Sequence, residues 1–251
     1  MVPIPVSGRD EAAVVVIAGF DADDRVEPRA RDVVDVVVTA FTDTWREAAS
    51  SRQRFEITTR GPEGMVADAN VVSRLDLEPG RYEVRLAVQS TTTGRTGSVF
   101  ASITVPDFSK APLGFGGVLI ARGSADDLVP AVRAAALPES PVVPWPASVT
   151  TARSFDRFDA MTATVPISQA GRRQAVPVQL TATIVDDEDR QVFGETVSMD
   201  AASFGLGRQT LYRFRLPLGQ LAPGRYLLSF VAVAGTDEVQ SALPFQVEGR
   251  P

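Results

Sequence analysis

The chain has 251 residues and a formal net charge of −6, and it contains neither histidine nor cysteine. This length predicts one or two domains, each able to bury a core without disulfides or bound metals. The missing residue types exclude a Ser-His-Asp triad, a cysteine nucleophile and a zinc site built on histidine or cysteine. The negative charge and the scattered arginines speak against nucleic-acid binding, and no apolar run is long enough to predict a membrane-inserted segment.

Short stretches of alternating apolar and polar residues run through the first half of the chain. A period of two is typical of β-strands, and dense valines favour a pleated strand over a helix. Loops are predicted at 21–27, at 61–64 and at 90–97, where polar residues and glycines indicate a hairpin connection. The strands predicted in this half cover residues 13–20, 32–41, 54–59, 82–88 and 99–105.

The middle of the chain, 107–152, is less regular. A glycine-rich strand is predicted at 114–121. Ser124 and Asp127 have the spacing of a capping box and predict a short helix within 124–136, which Pro130 limits in length. The prolines between 138 and 146 predict an extended, irregular segment.

Alternation returns in the second half of the chain. An acidic run at 186–189 separates two of the alternating stretches and is predicted to be a turn. The strands predicted here cover residues 178–184, 191–193, 212–216, 226–230 and 239–247.

One phrase occurs twice: LEPGRY at 77–82 returns as LAPGRY at 221–226, each time running into a predicted strand. A Pro-Gly turn followed by tyrosine is typical of the corner at which a β-sandwich passes from one strand to the next. We therefore predict an all-β chain of two tandem antiparallel sandwiches, immunoglobulin-like or fibronectin-like. The predicted domains are 1–109 and 110–251, the second with a long irregular excursion near 122–150.

The aromatic residues outside the strands have either a structural or a binding explanation. Tyr82 and Tyr226 occupy the same place in the repeat, so we predict that each packs at a corner while its hydroxyl bonds to a nearby backbone group. Trp45 and Trp145 lie in predicted loops, where tryptophan either anchors a partner or packs over the end of a sandwich. The prolines on both sides of Trp145 favour packing.

Three acidic clusters, at 21–24, 126–127 and 186–189, are the candidate metal sites. Loop carboxylates supply some of the oxygens that calcium requires. None of the clusters has the spacing of an EF-hand loop, and aspartate is favoured in solvated turns in any case. We predict that they are turns, that the chain has no catalytic, cofactor-binding or metal-binding residue, that it uses no cofactor, and that it is not an enzyme.

Several phrases together resemble a known bacterial family: PIPVSG at 3–8, LEPGRYEVR at 77–85, TGRTGSVF at 93–100, VPDF at 105–108 and FDRFD at 155–159. They are similar to the region that follows the von Willebrand factor A domain in bacterial von Willebrand factor A-related proteins, which are common in acidobacteria. That family's metal-binding motif, D-x-S-x-S, is absent. Its nearest counterpart, DFSKA at 107–111, lacks the second serine, so no metal-site residue is carried over.

The resemblance implies an exported, extracytoplasmic bacterial protein with a pair of immunoglobulin-like modules in its C-terminal half. Any leader peptide or A domain is then expected upstream of Met1. The function expected on this basis is a non-catalytic interaction or spacer module that binds a protein through sheet edges or end loops. Two alternatives remain open: a carbohydrate-binding sandwich, which needs a row of exposed aromatic residues, and a hydrolase that uses a pair of carboxylates.

Overall fold

The computed structural model describes residues 1–6, 12–20, 31–58, 69–123, 149–169 and 174–249. The chain divides into two compact units, Met1–Pro106 (unit 1) and Asp107–Pro251 (unit 2). In the described ranges, helical structure is limited to two short 3₁₀ turns, Ala201–Phe204 and Leu218–Gln220, and no helix there has the length and apolarity to span a membrane. The predictions that fall outside the described residues are the loops at 21–27 and 61–64, the helix within 124–136, the proline-rich segment 138–146 and nearly all of the excursion near 122–150.

Unit 1 contains two antiparallel sheets. Their strands are β1 Val2–Val6, β2 Ala12–Phe20, β3 Arg31–Thr42, β4 Glu47–Thr58, β5 Ala69–Leu77, β6 Gly80–Ser90 and β7 Thr96–Val105. One sheet has the strand order β1-β2-β5 and the other β4-β3-β6-β7. Strand β5 has no counterpart among the predicted strands, and β4 is much longer than predicted.

The core of unit 1 lies between these two sheets. In β3 the alternate residues Val34, Val36 and Val38 are buried, whereas the residues between them are only partly buried. Strand β5 lies against β3 and β4, so the three-stranded sheet covers the inner face of the four-stranded sheet. The outer face of the four-stranded sheet, with Arg85 and Phe100, is exposed to solvent.

Unit 2 also contains two sheets. Their strands are β8 Gly114–Phe115, β9 Leu119–Arg122, β10 Val149–Thr150, β11 Ser154–Asp156, β12 Met161–Ser168, β13 Val178–Asp186, β14 Gln191–Met199, β15 Gln209–Arg215, β16 Gly224–Ala234 and β17 Asp237–Glu248. The strand orders are β10-β9-β12-β15, with β8 also paired to β12, and β11-β17-β16-β13-β14. All pairs are antiparallel except β11 with β17.

Aromatic side chains join the two sheets of unit 2. Phe214 of β15 meets Phe230 of β16 edge to face, with 5.9 Å between ring centroids, and Phe193 of β14 packs on Phe214 at 5.7 Å. Edge-to-face pairs of this kind fill the interior of a sandwich at a favourable ring geometry. The predicted fold class, two antiparallel β-sandwiches, is confirmed.

The single strand predicted at 114–121 was wrong, because the structure has two strands there, β8 and β9. The backbone carbonyl of Pro166 in β12 accepts a hydrogen bond from the N–H of Gly116 at 2.8 Å. In a strand, the N–H and C=O of one residue point to the same side, and proline has no N–H. The ladder therefore lacks a donor at this point, and the chain leaves it at 116–118 before β9 begins.

The four-stranded arrangement of unit 1 recurs in unit 2. The order β4-β3-β6-β7 corresponds to β14-β13-β16-β17. Gly80 at the start of β6 pairs with Val105, and Gly224 at the start of β16 pairs with Val247, so the two registers can be matched residue by residue. Each unit therefore serves as an internal control for the other.

Candidate functional site

The two tyrosines of the repeated phrase make the corner hydrogen bonds predicted for them. The Tyr82 hydroxyl donates to the backbone oxygen of Glu78 at 2.9 Å, and the Tyr226 hydroxyl donates to that of Ala222 at 2.7 Å. Both bonds join the start of the strand to the turn before it, which is the geometry of a sandwich corner. Burial, and then the nearby acidic turn, raises the pKa of Tyr226.

The acidic run 186–189 forms a hairpin turn, as predicted. Asp186 Oδ1 accepts from the N–H groups of Glu188 and Arg190, each at 3.0 Å, and Oδ2 accepts from Arg190 Nε at 2.9 Å. Hydrogen bonding, led by the Arg190 backbone N–H, holds the pKa of Asp186 below its usual value. Within the described ranges, no three metal-ligating side chains converge on one point. The clusters at 21–24 and 126–127 and Trp145 lie outside those ranges.

Strand β7 is an edge of the four-stranded sheet in unit 1. It pairs with β6 on one side and with no described strand on the other, although β1 of the three-stranded sheet comes close to it. Residues 96–100 are all exposed, with 42% of Val99 and 68% of Phe100 accessible to solvent. The Ser90 N–H donates to Arg95 O at 2.9 Å, and hydrogen-bonded pairs recur at every second residue of an antiparallel ladder. The odd residues of β7 therefore bond to β6. The N–H and C=O groups of Ser98, Phe100 and Ser102 point away from β6.

The sequence of β7, TGSVFASITV, contains no charge and no proline. Proteins ordinarily protect exposed edges with charged residues, proline or a covering segment. In the part of the chain that the structure describes, the other edge strands of more than two residues carry such a residue: Pro3 and Pro5 in β1, Arg52 and Arg54 in β4, Arg74 and Asp76 in β5, Asp156 in β11, Glu195 in β14, and Arg213 and Arg215 in β15.

The matched strand β17 shows what is absent from β7. Ser102 pairs with Glu83 and Pro244 pairs with Leu227, each three residues after the matched glycine, so Pro244 stands where β7 has Ser102. The Gln246 N–H, two residues later, points outward to Arg153 O at 2.7 Å beside β11. Pro244 therefore sits at an outward-facing position, where its missing N–H interrupts no bond to β16.

A cleft of about 450 Å³ opens on unit 1 beside the turn between β3 and β4. We call it the Trp45 cleft. Trp45 is 61% exposed, and the Arg85 guanidinium lies over its ring at 5.0 Å from the centroid and over the Phe41 ring at 5.5 Å. The residues around the cleft include Asp43 and Trp45 from the turn, Arg81 and Glu83 from β6, and Ser102 and Thr104 from β7.

Sequence reasoning named edges and end loops in general but neither of these sites. For β7, the signal was available as ten consecutive residues without charge or proline. For the Trp45 cleft it was not, because the contact between Arg85 and Trp45 depends on the register between β3 and β6. The prediction located Trp45 in a loop, and the structure places it in the turn before β4.

No family model and no curated protein sequence matches the chain. Among solved structures, it is similar to a proposed β-galactosidase of Bacteroides fragilis, with a TM-score of 0.34 and 15% identity over 94% of this chain and 32% of that chain. It is also similar to dimeric latent PorU of Porphyromonas gingivalis, with a TM-score of 0.35 and 13% identity over 99% and 20% of the two chains. The β-glucuronidase of Parabacteroides merdae gives a TM-score of 0.33 and 10% identity over 96% and 29%. The chain spans about a third or less of these proteins, and similarity at this level supports no conclusion about function.

Proposed function

We propose that the chain is a non-catalytic module of an exported bacterial protein of the von Willebrand factor A-related kind, in which unit 1 binds a partner protein by strand addition along β7. The observation that carries the proposal is this edge of ten residues, exposed over its first half and free of charge and proline. The short sequence phrases that resemble von Willebrand factor A-related proteins support the assignment to that family and an extracytoplasmic location.

Strand addition uses the backbone groups that β7 directs outward. Each net hydrogen bond contributes about 0.5–1.5 kcal/mol, and covering the exposed Phe100 ring contributes about 1–2 kcal/mol more. The cost of ordering an extended segment offsets part of this gain, so we expect a micromolar Kd, about −8 kcal/mol. The partner that we expect is an extended, uncharged segment rich in β-branched or aromatic residues. A charged side chain in that segment would lie beside β7, which has no residue of opposite charge.

The hydrolase alternative draws less support from the geometry. Two carboxylates, Asp43 and Glu83, border the Trp45 cleft. Glu83 accepts a hydrogen bond from Arg85 Nε at 2.5 Å, so one of the two carboxylates already has a partner within the chain. A pair of carboxylates that hydrolyses a substrate must have both groups directed at the scissile bond.

The test is peptide display. A library of random twelve-residue peptides is selected on the full chain, and the enriched peptides are measured against variants by fluorescence anisotropy. We expect enriched peptides to alternate apolar residues and to lack proline. Their Kd should rise at least tenfold on the Ser102→Pro chain, because proline removes an outward N–H from the edge.

Ser102→Ala is the matched control, because it removes the same hydroxyl and keeps the N–H; we expect it to bind as the unchanged chain does. Pro244 at the matched position shows that the corresponding sheet of unit 2 accepts proline, and circular dichroism checks that the Ser102→Pro variant folds. The proposal fails if no peptide is enriched above background, or if the proline and alanine variants bind equally well.

A further inference from the structure

We propose that the Trp45 cleft is a carbohydrate-binding site, in which a pyranose ring stacks on the exposed indole of Trp45. This site is independent of strand addition at β7. Three observations lead to it: the backbone conformation of Trp45, the way its ring is held, and the polar groups around it.

Trp45 occupies a backbone position that disfavours it. Its φ is 61°, in the left-handed region, within a three-residue hairpin turn closed by the bonds Trp45 N–H to Thr42 O (3.0 Å) and Thr42 N–H to Arg46 O (2.9 Å). Left-handed backbone is uncommon for bulky residues and is normally left to glycine, asparagine or aspartate.

Unit 2 has the same turn with an ordinary residue. The corresponding residue is Asp189, with φ 58°. Its backbone N–H donates to Asp186 O at 3.2 Å, and the Asp186 N–H donates to Arg190 O at 3.0 Å. The turn therefore has no need of tryptophan. With 61% of its side chain exposed, Trp45 also gains little from burial. A strained backbone at an exposed aromatic residue that the turn does not require indicates that the side chain has a role in binding.

The indole of Trp45 is held in place before any ligand arrives. The Arg85 guanidinium stacks over it at 5.0 Å, and Glu83 binds the Nε of the same guanidinium. A cation over an aromatic face is favourable, and fixing the ring in advance lowers the entropy lost on binding. With this guanidinium in place, Trp45 is still 61% exposed.

The polar groups of the cleft complement a sugar. A pyranose has an apolar C–H face, which suits an aromatic ring, and hydroxyl groups around its rim, which both donate and accept. Asp43 and Arg81 border the cleft, and within the described residues neither side chain makes a hydrogen bond or ion pair. Ser102 and Thr104 add hydroxyl groups. A volume of about 450 Å³ lies within the range for small-ligand sites.

The test is affinity electrophoresis of the full chain in gels that contain soluble xylan, mixed-linkage β-glucan, galactomannan or pectin. We expect at least one polysaccharide to retard the chain. Trp45→Asp should abolish the retardation, at least a tenfold loss of affinity, without lowering the thermal midpoint, because aspartate is what the matched turn of unit 2 carries. Arg81→Ala should weaken binding about fivefold to tenfold through loss of one hydrogen-bonding group.

Phe158→Ala is the matched control. Phe158 is another exposed aromatic residue, 70% accessible, with the Arg157 guanidinium 5.5 Å from its ring centroid, but it lies in unit 2. We expect this variant to be retarded as the unchanged chain is. The proposal is overturned if no polysaccharide retards the chain, if Trp45→Asp is still retarded, or if Trp45→Asp lowers the thermal midpoint, which would give Trp45 a structural role. Peptide binding that depends on Trp45 without polysaccharide binding also overturns it.

Discussion

Each unit has the same corner hydrogen bond, from a tyrosine hydroxyl to a backbone oxygen four residues earlier. Replacing each of these tyrosines with phenylalanine tests how far burial determines the contribution of that bond to stability. The substitution removes one hydroxyl and leaves the ring. Tyr226 is 8% exposed, and its ring stacks on Phe245 at 5.5 Å, so the ring should keep its place. Tyr82 is more exposed, and its bond to Glu78 O lies at the surface.

The magnitude follows from what happens to the abandoned carbonyl group. In unit 1, water reaches Glu78 O and replaces the lost donor, so Tyr82→Phe should cost about 0.5 kcal/mol. In unit 2, the bond to Ala222 O is partly buried and shorter, so Tyr226→Phe should cost about 1.5 kcal/mol, near the upper end for a neutral hydrogen bond. For a unit of this size, that corresponds to about 5 °C in Tm.

Hydrogen–deuterium exchange of the full chain under native conditions separates the two effects. Peptides from β6 report on unit 1 and peptides from β16 report on unit 2, so each variant should lower protection in its own unit only. The reasoning would be refuted by a Tyr82→Phe cost equal to or larger than that of Tyr226→Phe. It would also be refuted by a loss above about 3 kcal/mol, which only repacking of the ring explains.

Three further predictions concern single side chains. The hydrogen bond from Lys110 lowers the pKa of Asp107 to about 2. The stability that this carboxylate contributes is therefore present above its ordinary pKa of 3.8 and is lost as the pH falls towards 2. In the Lys110→Ala variant, NMR titration should show the pKa of Asp107 returning towards 3.8. Thr164 Oγ1 is buried and has no hydrogen-bond partner among the residues that the structure describes. Thr164→Val should therefore stabilise the chain by about 1 kcal/mol in urea unfolding, and a destabilisation would contradict this. Burial, assisted by Glu195, raises the pKa of Tyr212 above its ordinary value of 10.0. The folded chain then holds this proton more tightly than the unfolded chain, so stability should fall as the pH rises above 10.0, and Tyr212→Phe should reduce that fall in thermal melts.

Most of the strands that sequence reasoning found have one buried face. In β6, Val84 and Leu86 are buried and Arg85 and Ala87 are exposed, which gives the period of two directly. The repeated phrase also identified both corners, because the tyrosine, the turn and the following strand are close together in sequence.

The missed strands β12 and β5 each have an interruption. In β12, apolar residues alternate with Thr162, Thr164 and Ser168, but Pro166 breaks the series, and proline is uncommon in a central strand. In β5 the buried Ser73 interrupts the apolar series. The two candidate sites depend on strand order and register, which join residues distant in sequence and leave no local pattern.

The position of Pro244 bears on how far association between chains can propagate. A fibre grows by strand pairing only if each copy has two unprotected sheet edges, so that every added copy leaves one edge free. The other edge of the four-stranded sheet in unit 1 is β4, which carries Arg52 and Arg54. In unit 2, the strand that matches β7 is β17, and Pro244 interrupts its edge. Once β7 is occupied, the described strands longer than two residues present no other unprotected template. Growth should therefore stop at a finite complex.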